Sequence, residues 1–210
     1  MPRMVSCAMA VQLVNAGLVQ MGFFVIFLFE TYGRLSDSLA VRGMQVIRPT
    51  RGLEGSMACW SIVFNAREWD RPGKTDAFDH TVVLDLTRQS WMGRCLEKLA
   101  VNRRTSTVWD FTYVEFFREF RRAVLSFGLQ RMSLGPYMLR HGGASHDRGT
   151  LVRSLREIQD RGGWRSFASV QRYEKHGRLG LMLQQLTAKE KQECMKQEAL
   201  VPKVFGARLR

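Results

Sequence analysis

Four short segments of the chain carry residue types that bind or attack phosphate. They are YGRLSDSLAVR with Arg34, PGKTDAFDHTVVLDL with Lys74, PYMLRHGGASHD with Arg140, and GGWRSFASVQRY, which ends at Tyr173. Arginine presents a planar fork of N–H donors that fits a phosphate group, whereas lysine presents a point charge. A tyrosine among such cations could attack phosphorus, although a lone tyrosine also commonly fills a hydrophobic gap. The residue types therefore raise the hypothesis of phosphoryl transfer.

In this order, the segments resemble the catalytic boxes of the tyrosine recombinase (phage integrase) family. Boxes of that family are an arginine in G-x-R-x-x-E, a β-hairpin lysine, H-x-x-R-H, and G-[HW] followed nine residues later by the nucleophilic tyrosine. Arg34 and Asp37 match the first box, with aspartate in place of the usual glutamate. Lys74 matches the hairpin lysine, and it is the only lysine among the first 97 residues.

The last two boxes carry the most specific part of the resemblance. Arg140-His141 matches the end of the third box, and Gly163, Trp164 and Tyr173 match the fourth in both type and spacing. The match extends from about residue 20 to about residue 180. Each box alone is a weak signal, but four boxes in the family's order form a strong one.

The resemblance implies that DNA is cleaved through a covalent 3′-phosphotyrosyl bond, with no metal ion or nucleotide cofactor. Tyr173 would be the nucleophile, and Arg34 and Arg140 would clamp the two non-bridging oxygens. Lys74 would protonate the leaving 5′-oxygen, and Trp164 would donate its indole N–H to a phosphate oxygen. The other expected site residues are Asp37 and His141, which would orient an arginine, and Arg165, Arg172 and Lys175, which would bind DNA.

One position of the third box departs from the family pattern. Tyr137 stands where H-x-x-R has its histidine, three residues before Arg140. Tyr137 is still expected among the catalytic residues, because its hydroxyl can hydrogen-bond phosphate, but a tyrosine is a far weaker base than a histidine near neutral pH. Three alternatives stay open. The arginines activate Tyr173, or His141 or His146 has become the base, or the chain is a decayed copy that holds DNA with reduced activity.

A second departure concerns length. Members of the family usually grip DNA between the catalytic domain and a separate helical domain ahead of it. Only 33 residues precede Arg34, so we expect that clamp domain to be missing or supplied elsewhere. We predict a catalytic domain over residues 1–178 and a C-terminal helix with a basic tail over residues 179–210. The helix, over Leu179–Lys196, would dock on a neighbouring protomer or fold back on its own core.

The distribution of charge favours a polyanionic partner. The net charge is +13, and it is concentrated in residues 91–210, which carry 23 Lys+Arg against 11 Asp+Glu, whereas residues 1–90 carry 9 against 8. Of the 32 cations, 25 are arginines. This balance favours DNA over a generic solvated basic surface. We expect no small-molecule substrate.

Cysteine usage and hydropathy indicate an intracellular protein. The four cysteines lie far apart, without C-x-x-C or a nearby histidine pair, which fits neither a zinc site nor a disulfide scaffold. A reducing, DNA-containing compartment such as a nucleus or nucleoid is the simplest inference. The uncharged run Val5–Phe29 is interrupted by polar residues and glycines, so it predicts buried helices rather than a membrane anchor.

The secondary-structure signals predict an α+β fold. Cys59–Phe64 and His80–Leu86 are β-rich runs separated by a Pro-Gly turn, which predicts an antiparallel hairpin. Trp109–Phe127 has apolar residues at helical spacing, and we expect its aromatic stripe to face the core. The chain should therefore be a single, mostly α-helical domain with a small antiparallel β-sheet, like the integrase catalytic domain.

The predicted function is DNA strand cleavage and rejoining, in site-specific recombination or integration. Such a reaction needs protomers paired on DNA, so self-association into a dimer or tetramer is expected. A catalytically decayed, DNA-binding module from a mobile element is the principal alternative, and a monomeric type IB topoisomerase-like enzyme is another.

Overall fold

The computed structural model describes residues 1–68, 78–174 and 177–209. Within these residues the chain forms ten α-helices and three β-strands. In chain order they are α1 (Arg3–Asn15), α2 (Val19–Thr31), α3 (Leu35–Leu39), β1 (Val46–Ile47), β2 (Ser61–Phe64), β3 (His80–Val83), α4 (Met92–Ala100), α5 (Tyr113–Ser126), α6 (Tyr137–Gly149), α7 (Leu155–Gly162), α8 (Ala168–Gln171), α9 (Gly177–Gln184) and α10 (Ala188–Arg208).

The uncharged N-terminal run forms two helices at the centre of the molecule. α1 and α2 pack against each other, and the chain turns between them at Gly17, whose φ is +82°. The apolar residues of α2 surround the helix on every side and are buried, as expected for a helix in the middle of a core. The prediction of buried helices is confirmed. No helix in the described part of the chain is long and apolar enough to cross a membrane.

The predicted hairpin is the centre of a three-stranded antiparallel sheet. β2 pairs with β3, with Ile62 opposite Val82, and β1 pairs with the other edge of β2. Successive side chains of a strand point to opposite faces, so His80 shares the face of the buried Val82, whereas Thr81 is exposed. Lys74, predicted in the loop between β2 and β3, lies outside the described residues.

The predicted amphipathic helix is α5, but its aromatic stripe is only partly internal. Thr112 caps the helix by accepting a hydrogen bond from the Glu115 backbone N–H, so the helix begins later than expected. Phe116 and Phe120, four residues apart, are buried. Tyr113 and Phe117 lie on an adjacent face and are exposed, stacked on each other at 6.1 Å. The expectation that the whole stripe faces the core was wrong for these two residues.

The C-terminal region differs from the single helix predicted over Leu179–Lys196. It forms α9 and α10, because Thr187 caps a new helix by accepting from the Glu190 backbone N–H. The residues expected as a basic tail continue α10 to Arg208. Val201 and Phe205 are buried, and α10 packs on α1 of the same chain.

A second, smaller apolar cluster lies beside the main core and holds the C-terminal site residues. Its buried members come from the end of α2, from α6 to α8, and from the 3₁₀ turn Arg172–Glu174: Tyr32, Ala144, Leu155, Ile158, Val170 and Tyr173. Trp164 packs against this cluster. The two clusters meet where α6 contacts α2. The observed fold is the predicted single domain, mostly α-helical with a small antiparallel sheet.

Candidate active site

Arg34 follows a turn that is held by a buried tyrosine. Tyr32 has a left-handed backbone, with φ of +52°, which costs a residue other than glycine about 1–3 kcal/mol. Its ring is buried, and its phenol donates a hydrogen bond to the carboxylate of Asp147. The Arg34 side chain is half-buried, with Nη1 3.4 Å from Oδ2 of Asp37. The structure thus brings together the two residues matched to the first family box.

The carboxylate that holds Tyr32 belongs to a buried ionic cluster. Asp147 also contacts Arg88 and lies 3.3 Å from Nε of Arg153. Arg88 in turn contacts the buried carboxylate of Glu30 at 3.1 Å. Burial first, and then the charge of Asp147, raise the pKa of the Tyr32 phenol, which therefore stays protonated and can donate. The cluster ties the turn before α3 to α6.

Arg140 lies on α6 and is fixed by two backbone carbonyls. Its guanidinium donates to the carbonyl oxygen of Tyr32 and, at 2.7 Å, to that of Gly162. The same group stacks 4.2 Å from the centroid of the Trp164 ring. Burial, followed by the charge of Arg34, lowers the Arg140 pKa to about 10. Within the described residues Arg140 has no carboxylate partner, so its charge is available to a bound anion.

A close helix contact allows Arg140 to reach the turn. Gly143 lies one helical turn after Arg140, and a Cβ built there would collide with the carbonyl oxygen of Phe29 and the ring of Tyr32. Because glycine has no Cβ, α6 can approach the end of α2 at this point. The sequence HGGAS after Arg140 is therefore explained by packing.

Trp164 is placed by the end of α7. Gly163 ends the helix with φ of +61°, a left-handed conformation that favours glycine. The chain then folds back, so the Trp164 ring covers Gly162, where a Cβ would collide with it. The side-chain amide of Gln159 donates to the Trp164 carbonyl at 3.0 Å. No described residue accepts a hydrogen bond from the indole N–H.

Arg34, Arg140 and Trp164 line one cavity of about 240 Å³. Arg165 lies at the same cavity, as do Asp37 and His80. Among the described lining residues there are three guanidinium groups and one carboxylate, that of Asp37. The cavity therefore suits an anion the size of a phosphodiester group.

Tyr173 lies against this cavity but is not part of its lining. It is 3% exposed, and its ring centroid is 5.5 Å from that of Trp164. Its hydroxyl is 2.5 Å from Nδ1 of His141. Burial raises the Tyr173 pKa to about 12, although Arg140 and Arg172 act in the opposite direction.

His141 is suited to receive the phenolic proton. Burial, followed by the charges of Arg140 and Arg172, lowers its pKa to about 4. The imidazole is therefore neutral at pH 7, and in the tautomer that carries its hydrogen on Nε2, Nδ1 accepts a hydrogen bond from the Tyr173 hydroxyl. His141 was expected either to orient an arginine or to have become the base, and among its described contacts Nδ1 meets the Tyr173 hydroxyl.

Tyr137 does not line the cavity formed by Arg34, Arg140 and Trp164, which we call the arginine cavity. It is the first residue of α6 and 71% exposed, and its ring meets the edge of His141 at 4.6 Å. Together with His141, Arg172 and Tyr173, it lines a separate groove of about 540 Å³ between α6 and α9. Lys175, predicted to bind DNA beside Tyr173, lies outside the described residues.

Comparison with known proteins identifies the fold. A scan against models of known protein families finds no match, and a search among curated proteins finds none either. Among solved structures, the chain is similar to the XerH site-specific recombinase, determined as a pre-cleavage complex with its difH substrate. The TM-score is 0.55 and the identity 16%, over 81% of this chain and 48% of that one. This chain has the catalytic-domain fold of a tyrosine recombinase. It spans about half the length of XerH.

On this recombinase fold, two site features were not predicted from the sequence. His80 reaches the arginine cavity from β3, and the alternation of the strand could have indicated its inward direction, because Val82 on the same face is a core residue. The contact between Tyr32 and Asp147 carried no such signal, since 115 residues separate them.

Proposed function

We propose that this chain cleaves and rejoins DNA strands through a covalent 3′-phosphotyrosyl intermediate, as in site-specific recombination or integration. One observation carries the proposal. The guanidinium groups of Arg34 and Arg140 line one cavity with the indole of Trp164. Tyr173 packs against that indole and is hydrogen-bonded to the neutral His141. The tyrosine recombinase fold supports the same class of reaction.

The arginines would stabilise the charge that develops on phosphorus. Attack on a phosphodiester concentrates negative charge on the non-bridging oxygens, and fixed cations in a site sheltered from water stabilise that charge strongly. Arg140 is already oriented by its bonds to two carbonyls, so little reorganisation is needed when the charge appears. Arg34 would supply further donors, as would the indole N–H of Trp164, for which no described residue is an acceptor.

Tyr173 would attack as His141 removes its proton. The Tyr173 oxygen forms a bond to phosphorus, and the phenolic proton passes to Nδ1 of His141. The bond from phosphorus to the 5′-oxygen breaks as that oxygen takes a proton from a general acid, the role that the resemblance gives to Lys74. Among the alternatives for the base that replaces the family histidine, the 2.5 Å contact between His141 Nδ1 and the Tyr173 hydroxyl favours His141. Tyr137 is exposed and lies outside the arginine cavity. Religation reverses each step.

DNA is the proposed partner. The cavity is rimmed by Arg165, and the groove beside Tyr173 by Arg172, so both of these exposed cations are placed to contact a DNA backbone. Recombination would require self-association on DNA, for which the solvent-exposed part of α9 is one available surface. The reaction would take place in the compartment that holds the DNA.

A nicked suicide substrate tests the proposal. A pool of duplexes, nicked next to the scissile position and randomised around it, is incubated with the wild type and with Tyr173→Phe in EDTA. Covalent protein–DNA complexes are isolated under denaturing conditions, and the captured DNA is sequenced. We expect an adduct in the wild type only, enriched in particular sequences.

The second candidate function is a DNA-holding module that does not cut. The burial and raised pKa of Tyr173 favour it, because a protonated phenol is a poor nucleophile. Salt-sensitive binding of the pool by both proteins, with no adduct from either, would support this module and contradict the proposed reaction.

A further inference from the structure

Among the described residues that line the arginine cavity, the only imidazole is that of His80, and no family box assigns it. His80, at the start of β3, is half-buried and lines the cavity together with Arg34, Arg140 and Trp164. Its ring lies over the position of Gly163, where a Cβ would be 3.5 Å from the imidazole Cε1. A phosphate held by the two arginines would therefore have an imidazole beside it.

The hydrogen bonding of His80 determines which nitrogen can transfer a proton. Nε2 lies 2.9 Å from the carbonyl oxygen of Arg161. A carbonyl only accepts hydrogen bonds, so Nε2 carries a hydrogen and donates it. In the described part of the chain no residue bonds to Nδ1, which is the nitrogen left to take up and release a proton. The bond to Arg161 also holds the ring in one orientation.

We propose, resting on the function proposed above, that His80 is the general acid that protonates the leaving 5′-oxygen. As the Tyr173 oxygen bonds to phosphorus and the phenolic proton passes to His141, the bond to the 5′-oxygen breaks and takes the proton from Nδ1 of His80. His80 ends neutral and His141 ends protonated, so the strand cleavage is balanced and religation simply exchanges the two states. In this assignment the proton does not come from Lys74, the residue to which the resemblance gives the role of acid.

The charges around His80 link its protonation to occupancy of the cavity. Burial first, and then Arg140 and Arg34, lower its pKa, while the bond to the Arg161 carbonyl opposes them. The charge of Arg161 also lowers the His80 pKa, and the other charged side chains among the described lining residues are those of Asp37 and Arg165. A phosphodiester anion between the arginines would offset their charge, so the imidazole would gain its proton when DNA is bound.

A sulfur-substituted substrate distinguishes a general acid from a residue that only stabilises the structure of the site. Replacing the 5′-oxygen of a captured duplex by sulfur creates a leaving group that needs no proton. We expect His80→Gln to slow cleavage of the oxygen substrate by about 10²–10⁴-fold and to cleave the sulfur substrate within a few-fold of wild type. Lys74→Ala is the comparison variant, and Thr81→Gln, on the exposed face of the same strand, is the control.

The outcomes are distinct for the two proposals. If His80→Gln cleaves both the oxygen and the sulfur substrate slowly, His80 is not the general acid. The same follows if the sulfur substrate restores the cleavage rate of Lys74→Ala but not that of His80→Gln. No adduct in the wild type would instead contradict the proposed function.

A second measurement tests His80 without catalysis. Histidine NMR titrations are compared with and without sulfate, an anion whose charge is constant over this pH range. We expect sulfate to raise the His80 pKa in the wild type and to have less effect in Arg140→Gln. An unchanged His80 titration in the wild type would overturn the proposal.

Discussion

At the scale of single residues, the proposed cleavage depends on how Arg140 is held. Lysine has one amino group, so Arg140→Lys cannot bridge the carbonyls of Tyr32 and Gly162 while stacking on Trp164. We expect the rate of adduct formation to fall by about 10²–10³-fold. Single-turnover cleavage of a captured duplex measures this, with the exposed Arg118→Lys as control. Equal rates for the two variants would contradict the role of Arg140.

His141 gives the folded protein a pH-dependent stability. Its pKa in the fold is about 4, below the ordinary value of 6.5, so the unfolded chain binds more protons between these values. The free energy of unfolding should therefore fall as pH drops from about 6.5 towards about 4. His141→Gln should weaken this dependence, and His80 and His146, whose pKa values are also lowered, should retain part of it. Urea denaturation at several pH values measures how the free energy of unfolding changes with pH in each protein. The same pH dependence in the wild type and in His141→Gln would argue against a neutral, buried His141.

At the scale of elements, the contact between α6 and α2 positions the arginines. Gly143→Ala introduces a Cβ into the Phe29 carbonyl and the Tyr32 ring, so we expect a loss of about 1–3 kcal/mol in the free energy of unfolding. Gly180→Ala, in α9, meets nothing within 4 Å and should stabilise by about 0.5–1 kcal/mol. Denaturant unfolding distinguishes them. A stabilised Gly143→Ala would show that the helices do not approach so closely.

Elements with a periodic sequence signal were predicted well from the sequence. α1, α2 and the hairpin were predicted because burial and alternation are local properties of the chain. The boundaries of α5 and α10 were wrong by several residues, since Thr112 and Thr187 begin these helices through caps that the apolar pattern does not reveal. His80 was missed because its function depends on what packs against the sheet.

At the scale of the whole molecule, one buried ionic cluster connects the site to the core. Asp147 contacts Tyr32, Arg88 and Arg153, so Asp147→Asn removes a buried negative charge beside two cations, which keep Glu30 and Asp85 as their other partners. We expect a loss of about 1.5–3 kcal/mol in the free energy of unfolding. The exposed Asp160→Asn, paired with Arg156, should cost at most about 1 kcal/mol. Similar losses for both variants would contradict a structural role for the cluster.

The order of the catalytic boxes was sufficient to predict the recombinase fold, but not the assignment of each residue. The structure brings Arg34, Arg140, Trp164 and Tyr173 into one region, because the fold joins these segments. The boxes could not reveal that Tyr137 is exposed or that His141 bonds to Tyr173, since both depend on side-chain directions at the start of α6.

The most direct test of the central claim is covalent trapping at Tyr173. The wild type and Tyr173→Phe are incubated in EDTA with the nicked, randomised duplex pool, and the products are separated on a denaturing gel. We expect a shifted, protease-sensitive band in the wild type, with DNA attached to the peptide that contains Tyr173, and no such band in Tyr173→Phe. An equal band in both proteins, or binding of DNA by the wild type without any band, would contradict the claim.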